Sequence, residues 1–223
     1  MNASTLDQLD AAFENGQTIL HSQQEAERAR RPHGVGVFIP LLASPEGYQV
    51  LFEVRALDLE RQPGEVCFPG GHIEEGEDGV GAALRETCEE LAVAPSQVTL
   101  HGVLAPAQRA NGDPLQVCYG VIADYRNTWS SREVDHTFTV PLQWFLMHEP
   151  TIYEGKSVPV FGDDFPWEAI PGGRSYRWFT PRSTVTFYFG TKPLIWGLTA
   201  HAMHRFISIL RAGGISTDRA FRL

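Results

Sequence analysis

Residues 71–93 read GHIEEGEDGVGAALRETCEELAV, and no other part of the 223-residue chain says as much about fold and chemistry. Glu86, Glu89 and Glu90 have the i, i+3, i+4 spacing that brings side chains onto one face of a helix. Neighbouring carboxylates repel one another, so such a face is stable when it is solvated or when it surrounds a cation. The turn Pro69-Gly70-Gly71 leads into the stretch. Oxygen ligands from a turn and a helix suit a hard divalent ion such as Mg²⁺ or Mn²⁺, with phosphate oxygens completing its shell.

A run of glutamates alone is more often a solvated helix face, and it is the full spacing that favours a site here. After Gly71, five residues precede Glu77, and seven more precede Arg85 and the three glutamates. This arrangement resembles the Nudix box, the signature of hydrolases that act on a nucleoside diphosphate linked to another moiety. The positions that match are Gly71, Glu77, Arg85, Glu86, Glu89, Glu90 and Val93.

One position of the box departs from the family pattern. Ala92 stands where the family usually has glycine, a residue that ends the helix with a positive φ. Alanine therefore predicts a slightly different exit from the helix, without the loss of a metal ligand.

The resemblance implies a role for each residue of the box. Glu86 and Glu90 would hold Mg²⁺ or Mn²⁺ together with Gly71, and Glu89 would act as a ligand or as the base that orders water. Arg85 would pair with Glu77 and fix the carboxylate rotamers. Because the general base of such enzymes can lie outside the box, four downstream residues are also candidates: Glu133, Glu149, Glu154 and Glu168.

A second motif, LFEVRALDLERQPGEVCFPGG at residues 51–71, narrows the substrate. It resembles the coenzyme A pyrophosphatase branch of the family, although Ala56 replaces the usual serine; residues 138–142 and 195–200 are also similar to that branch. The resemblance implies hydrolysis of coenzyme A or acyl-coenzyme A to 4′-phosphopantetheine and 3′,5′-ADP. Arg55, Arg61 and Gly70 would then bind the substrate, the guanidinium groups taking phosphate oxygens in pairs. The alternative is that both arginines are surface residues paired with Glu53, Glu60 or Glu65.

Two other functions remain open. A Nudix pyrophosphatase could act on another nucleoside diphosphate derivative, such as ADP-ribose, NADH or a dinucleoside polyphosphate. A catalytically silent Nudix module would bind a ligand without cleaving it, but such modules normally have eroded metal positions, and this chain keeps all three box glutamates.

Composition limits the partners and the compartment. A formal net charge of −9 argues against nucleic acid as the main partner. Three cysteines, an odd number without metal-ligand spacing, predict reduced thiols in a cytoplasmic protein. No stretch reaches the roughly 18 apolar residues of a membrane span. The polar start is not typical of a signal peptide, and the last residues are not a Ser-Lys-Leu peroxisomal address.

The hydrophobic pattern predicts an N-terminal helical extension (1–31, helical from about 5 to 30) and a surface insertion at 148–175, and the box implies that residues 32–223 form a Nudix domain. Helices are also expected at 80–91, 141–146 and 194–212. Strands are expected at 35–42, 48–55, 98–104, 115–122, 137–140, 176–179 and 185–189. These elements fit a mixed sheet with helices on either face and a C-terminal helix, which is the Nudix α/β/α sandwich that the box implies. If the chain forms a homodimer, we expect the N-terminal helix or the insertion to form its interface.

Overall fold

The computed structural model describes residues 3–20, 34–108 and 113–215. Its helices are α1 (Ala3–Leu20), α2 (Gly79–Glu90), α3 (Leu142–Met147) and α4 (Gly197–Ala212). Its strands are β1 (Val35–Ser44), β2 (Gly47–Arg55), β3 (Val66–Cys67), β4 (Gly70–His72), β5 (Val98–Val103), β6 (Ala107–Gln108), β7 (Pro114–Ile122), β8 (Val134–Pro141), β9 (Thr151–Lys156), β10 (Arg182–Tyr188) and β11 (Ile195–Trp196).

Eight strands form one mixed sheet with the order β3-β2-β1-β7-β5, to which β4, β6 and β8 are added by pairing with β1, β7 and β2. Strands β1 and β2 form an antiparallel hairpin, closed between Ser44 and Gly47. Strands β1 and β7 run parallel. The last three strands form a separate small sheet with the order β11-β10-β9.

The central strands are buried on both faces, which is why they read as near-continuous apolar runs. On one face, Phe38 and Leu51 pack against Ala83 of α2. On the other face, Phe52 and Tyr119 belong to the larger core, which includes residues of α1 and α4. Helices therefore cover both sides of the sheet, and the predicted α/β/α sandwich is confirmed.

Helix α1 packs on the core of the same chain. Leu9 and Phe13 are at most 4% exposed, and the Phe13 ring lies 4.5 Å from that of Tyr119, centroid to centroid. Asp10 accepts a hydrogen bond from the Tyr119 hydroxyl at 2.9 Å and lies 2.8 Å from Nδ1 of His101. The part of the predicted helix that follows Leu20, up to residue 30, lies outside the described residues.

Two predictions about elements are wrong. Helix α4 begins at Gly197 and not at 194, because Ile195 and Trp196 pair with β10 as β11. Residues 176–179 form no strand. The segment 148–175 is largely exposed, as expected of an insertion, but it includes β9, which pairs with β10. Every residue of β9 is exposed. Its sequence, TIYEGK, also lacks the alternation of apolar and polar residues from which a strand could be predicted.

Candidate active site

Helix α2 carries the box glutamates, and its two ends are fixed by hydrogen bonds. The Asp78 carboxylate caps the first turn by accepting from the backbone N–H groups of Val80 (3.1 Å) and Gly81 (2.8 Å). At the other end, the N–H of Val93 donates to the Cys88 carbonyl at 3.1 Å, the bond of a Schellman motif. Ala92, which directly precedes Val93, has a φ of 51°, the left-handed conformation that glycine adopts at this position. The prediction of a different helix exit is therefore wrong: alanine takes the glycine conformation.

The three glutamates differ in exposure. The sequence pattern predicts that all of them face outward, which is wrong for Glu90, because it is 4% exposed. The Glu86 side chain is 17% exposed and that of Glu89 is 61% exposed. The carboxylate face therefore runs from solvent into the protein along one turn of α2.

Arg85 ties the start of the box to the helix. Its Nη2 lies 2.8 Å from Oε1 of Glu77 and donates to the His72 carbonyl at 3.1 Å. Its Nη1 lies 2.9 Å from Glu86 and 3.4 Å from Glu89. The hydrogen bond from Arg85 lowers the pKa of Glu77, and the contact with Glu86 orients that carboxylate. The predicted pairing of Arg85 with Glu77 is present in this geometry.

The glycine turn lies directly against the glutamates. The backbone N–H of Gly70 donates to Oε2 of Glu90 at 2.8 Å. A Cβ at Gly71 would lie 2.1 Å from Oε1 of Glu86, so any side chain there would displace this carboxylate. The turn thus needs glycine because the carboxylates are so close.

Glu133 joins two of the box residues. Carboxylate oxygens of Glu86, Glu90 and Glu133 all lie within 4.8 Å of one another. The loop before β8 is attached to the end of α2, because Ser130 N–H donates to the Glu90 carbonyl at 2.7 Å. We call Glu86, Glu90 and Glu133 the carboxylate triad.

The other acidic candidates lie outside this triad. Glu89 points to solvent and Arg85. Glu149 pairs with Arg211 of α4, and Glu154 lies 3.9 Å from Arg182. Glu168 is exposed on a short 3-10 turn of the insertion.

The carboxylate triad has the electrostatics of a cation site. Burial raises the pKa of Glu90 to about 8, and the charges of Glu86 and Glu133 also raise it, whereas the Gly70 hydrogen bond opposes the shift. Burial also raises the pKa of Glu86, although Arg85 opposes this. Converging oxygen ligands with unfavourably close negative charges fit a hard divalent cation.

Glu53 is a functional candidate that the sequence motifs missed. It lies on β2 with 0% exposure, its Oε2 accepts from the Cys67 thiol at 3.9 Å, and its Oε1 is buried without a hydrogen-bond partner among the described residues. Burial raises its pKa well above the usual range, and the charge of Glu90 adds to the shift. A glutamate between Phe52 and Val54 in an apolar strand is the signal that could have found it.

A cavity of about 240 Å³ opens next to the carboxylates. Its lining is mainly apolar and includes Phe68, Trp196 and Leu198. Arg55 is the positively charged residue of this lining, and Gly70, which also lines the cavity, is hydrogen-bonded to Glu90. The cavity and the carboxylate triad are therefore adjacent.

The two arginines of the second motif differ in their position relative to the cavity. Arg61 does not line it and is exposed, but its carbonyl accepts a hydrogen bond from Nε of Arg55 at 3.3 Å. Within the described part of the chain, Arg55 forms no ion pair with Glu53, Glu60 or Glu65. The alternative of a surface arginine paired with one of these glutamates therefore does not describe Arg55.

Comparison with known proteins identifies the family of this site. The model of the NUDIX domain matches residues 32–160, which include the turn, α2 and the loop that carries Glu133. The chain belongs to the NUDIX family. The Nudix chain therefore falls among pyrophosphohydrolases, a family that generally uses divalent metals and small nucleotide-derived substrates.

Relatives of this Nudix chain carry related names. It is 36% identical over 131 residues to a peroxisomal coenzyme A diphosphatase of Mus musculus, covering 58% of this chain and 55% of the mouse protein. It is 32% identical over 167 residues to the uncharacterised Nudix hydrolase NudL of Escherichia coli, covering 74% of this chain and 76% of that protein. A crystal structure of a C. elegans Ap4A hydrolase matches 49% of this chain and 80% of its own at 19% identity and a TM-score of 0.43, too low to support a conclusion.

Proposed function

We propose that the protein hydrolyses the pyrophosphate bond of coenzyme A or acyl-coenzyme A, giving 4′-phosphopantetheine and 3′,5′-ADP. The observation that carries the proposal is the cavity beside the carboxylate triad, which has Gly70 as a shared wall and Arg55 in its lining. A pyrophosphate at the triad would leave one end of the substrate in this mainly apolar cavity. A mainly apolar lining that contains Arg55 and the polar residues Gln62 and Glu65 suits a long, weakly polar arm attached to phosphate.

The cofactor would be Mg²⁺ or Mn²⁺, held by Glu86, Glu90 and Glu133, with the backbone of Gly71 beside them. When bound, such an ion neutralises the pyrophosphate and makes water more acidic. Arg85 holds Glu86 in place, and the Gly70 amide holds Glu90. Either Glu89 or Glu133 accepts a proton from the water that attacks phosphorus. The second phosphate then leaves with its half of the substrate.

Two further observations support the choice of substrate. The motif at residues 51–71 has the arginine, glycine and Phe-Pro-Gly-Gly positions of the coenzyme A branch. The mouse relative is named a coenzyme A diphosphatase. Arg55, which lines the cavity, would bind phosphate, and Arg61 would hold the Arg55 side chain through its backbone carbonyl.

The decisive experiment is a hydrolysis screen with purified protein and Mg²⁺ or Mn²⁺. Coenzyme A, dephospho-coenzyme A, ADP-ribose and NADH are compared by their kcat/KM. We expect coenzyme A to be hydrolysed fastest and an Arg55→Gln variant to lose at least ten-fold in kcat/KM. Equal rates with and without the 3′-phosphate would contradict the proposal and favour another nucleoside diphosphate derivative. No hydrolysis of any compound would favour a silent binding module.

The same assay tests the metal site. Glu90→Gln keeps the size of the side chain but removes one charge of the carboxylate triad, so we expect at least a hundred-fold loss of kcat. Exposed Glu75→Gln on the preceding loop serves as the matched control and should behave as wild type. Near-wild-type turnover of Glu90→Gln would overturn the assignment.

Compartment, assembly and domain limits remain proposals. None of the described helices combines the length and the apolar composition needed to cross a membrane. The mouse relative is named peroxisomal, so a cytoplasmic location is a prediction for this chain. We also propose the division into an extension (1–31) and a Nudix domain (32–223), and a homodimer, which light scattering would test.

A further inference from the structure

Glu53 points toward the same side of the sheet as the carboxylate triad. Side chains two residues apart on a strand lie on one face. Leu51 packs against α2, whereas Phe52 and Val54 belong to the opposite core. Glu53 therefore faces α2, the helix that carries Glu86 and Glu90.

The neighbours of Glu53 link it to the segment of chain that holds Glu90. On β3, its pairing partner is Cys67, whose thiol contacts Oε2 of Glu53. The charges of both Glu53 and Glu90 act on this thiol and raise its pKa, after burial as the main cause. Three residues further along the chain, the Gly70 amide binds Glu90. Glu53 and Glu90 therefore both contact the short segment 67–70.

The second oxygen of Glu53 lacks a partner. Oε1 is fully enclosed and accepts no hydrogen bond from a described residue. A buried carboxylate oxygen without a partner is costly, so native proteins satisfy such atoms with water or an ion. The charge of Glu90 also acts on Glu53, so a cation bound to this oxygen would face two carboxylates.

We propose that Glu53 is a further carboxylate of the cation site, contributing Oε1 to a divalent cation that it shares with Glu90. This rests on the metal site proposed above, but it adds a ligand from β2 that the box does not contain. The cation would satisfy the orphaned oxygen and offset the repulsion between two buried carboxylates. A site that reaches from α2 across to β2 would also join the helix to the sheet.

Mn²⁺ binding without substrate tests the proposal. The free ion is measured by electron paramagnetic resonance during titration of wild type, Glu53→Gln and Glu46→Gln. The control removes an exposed carboxylate from the β1–β2 turn of the same hairpin. We expect Glu53→Gln to weaken binding at least ten-fold or to lose one bound ion, and Glu46→Gln to follow the wild-type isotherm.

An isotherm that Glu53→Gln leaves unchanged would overturn the proposal and mean that a buried water satisfies Oε1. Should this variant fail to fold by circular dichroism, Mn²⁺-soaked crystals of the wild type decide the matter. An anomalous peak within about 2.5 Å of Glu53 Oε1 supports the proposal, and peaks at the carboxylate triad alone contradict it. Neither measurement uses a substrate, so a failure to hydrolyse coenzyme A would not change the outcome of this test. A wild type that binds no Mn²⁺ overturns this proposal together with the metal site.

Discussion

Ala92 is strained where the helix of the box ends. Its φ of 51° lies in the left-handed region, where a Cβ costs roughly 1–2 kcal/mol. The Schellman hydrogen bond of Val93 to Cys88 holds the residue there despite this cost. The helix exit is therefore set by the fold and not by the residue type at this position.

Ala92→Gly relieves this strain, although glycine loses more chain entropy on folding. We expect a net gain of about 0.5–1 kcal/mol in the free energy of unfolding. Urea denaturation of both proteins measures it. Because Ala92 is exposed and touches no candidate ligand, hydrolysis should not change. A loss of stability would show that the left-handed conformation is not strained.

Gly71→Ala should damage the site with little effect on stability. The new Cβ would meet Oε1 of Glu86 at 2.1 Å, so the carboxylate must leave its place in the carboxylate triad. We expect weaker Mn²⁺ binding and at least a ten-fold fall in kcat, with an unfolding free energy within about 1 kcal/mol of wild type. Unchanged metal binding would mean that Glu86 can move without consequence.

At the level of single residues, the sequence predicts ligands that are close along one helix. The spacing of Glu86 and Glu90 is sufficient to predict that their side chains are close, because residues four apart lie on one face of a helix. Glu53 and Glu133 reach the site through the pairing of β2 with β3 and the attachment of the β8 loop to α2. Such contacts depend on strand register, which no local spacing encodes.

At the level of elements, α1 acts as part of the core. Phe13 packs against Tyr119 and Phe206, and its removal would open a cavity beneath the helix. We expect Phe13→Ala to cost about 3–5 kcal/mol, as for other buried aromatic residues. Gln8→Ala, on the exposed side of the same helix, is the control. A cost below about 1 kcal/mol would mean that α1 is only loosely docked.

The elements that sequence predicts well are those with a strong pattern. Long apolar runs predict β1, β2 and β7, and the 3.6-residue period predicts α2 and α4. Short strands such as β3, β4 and β6 contain two or three residues, too few for any period. The apolar neighbours of Trp196 favour a helix, yet this residue pairs with Phe187 as part of a strand.

At the level of the whole molecule, the net charge of −9 includes the buried and half-buried carboxylates of one site. A divalent cation that binds only the folded chain should therefore stabilise it. At one hundred times its dissociation constant the gain is about 2.7 kcal/mol. We expect Mg²⁺ or Mn²⁺ to raise the melting temperature relative to EDTA. NaCl of equal ionic strength controls for screening, and an equal effect of NaCl would contradict specific binding.

The peptide unit at Gly70 has a consequence for selectivity. One of its sides lines the cavity, and its N–H holds Glu90. The distance between the cavity and the Glu90 carboxylate is therefore fixed by a single backbone amide. A ligand that occupies both the cavity and the carboxylate triad must match this distance. The protein would therefore select substrates by the distance from their scissile bond to their bulky end.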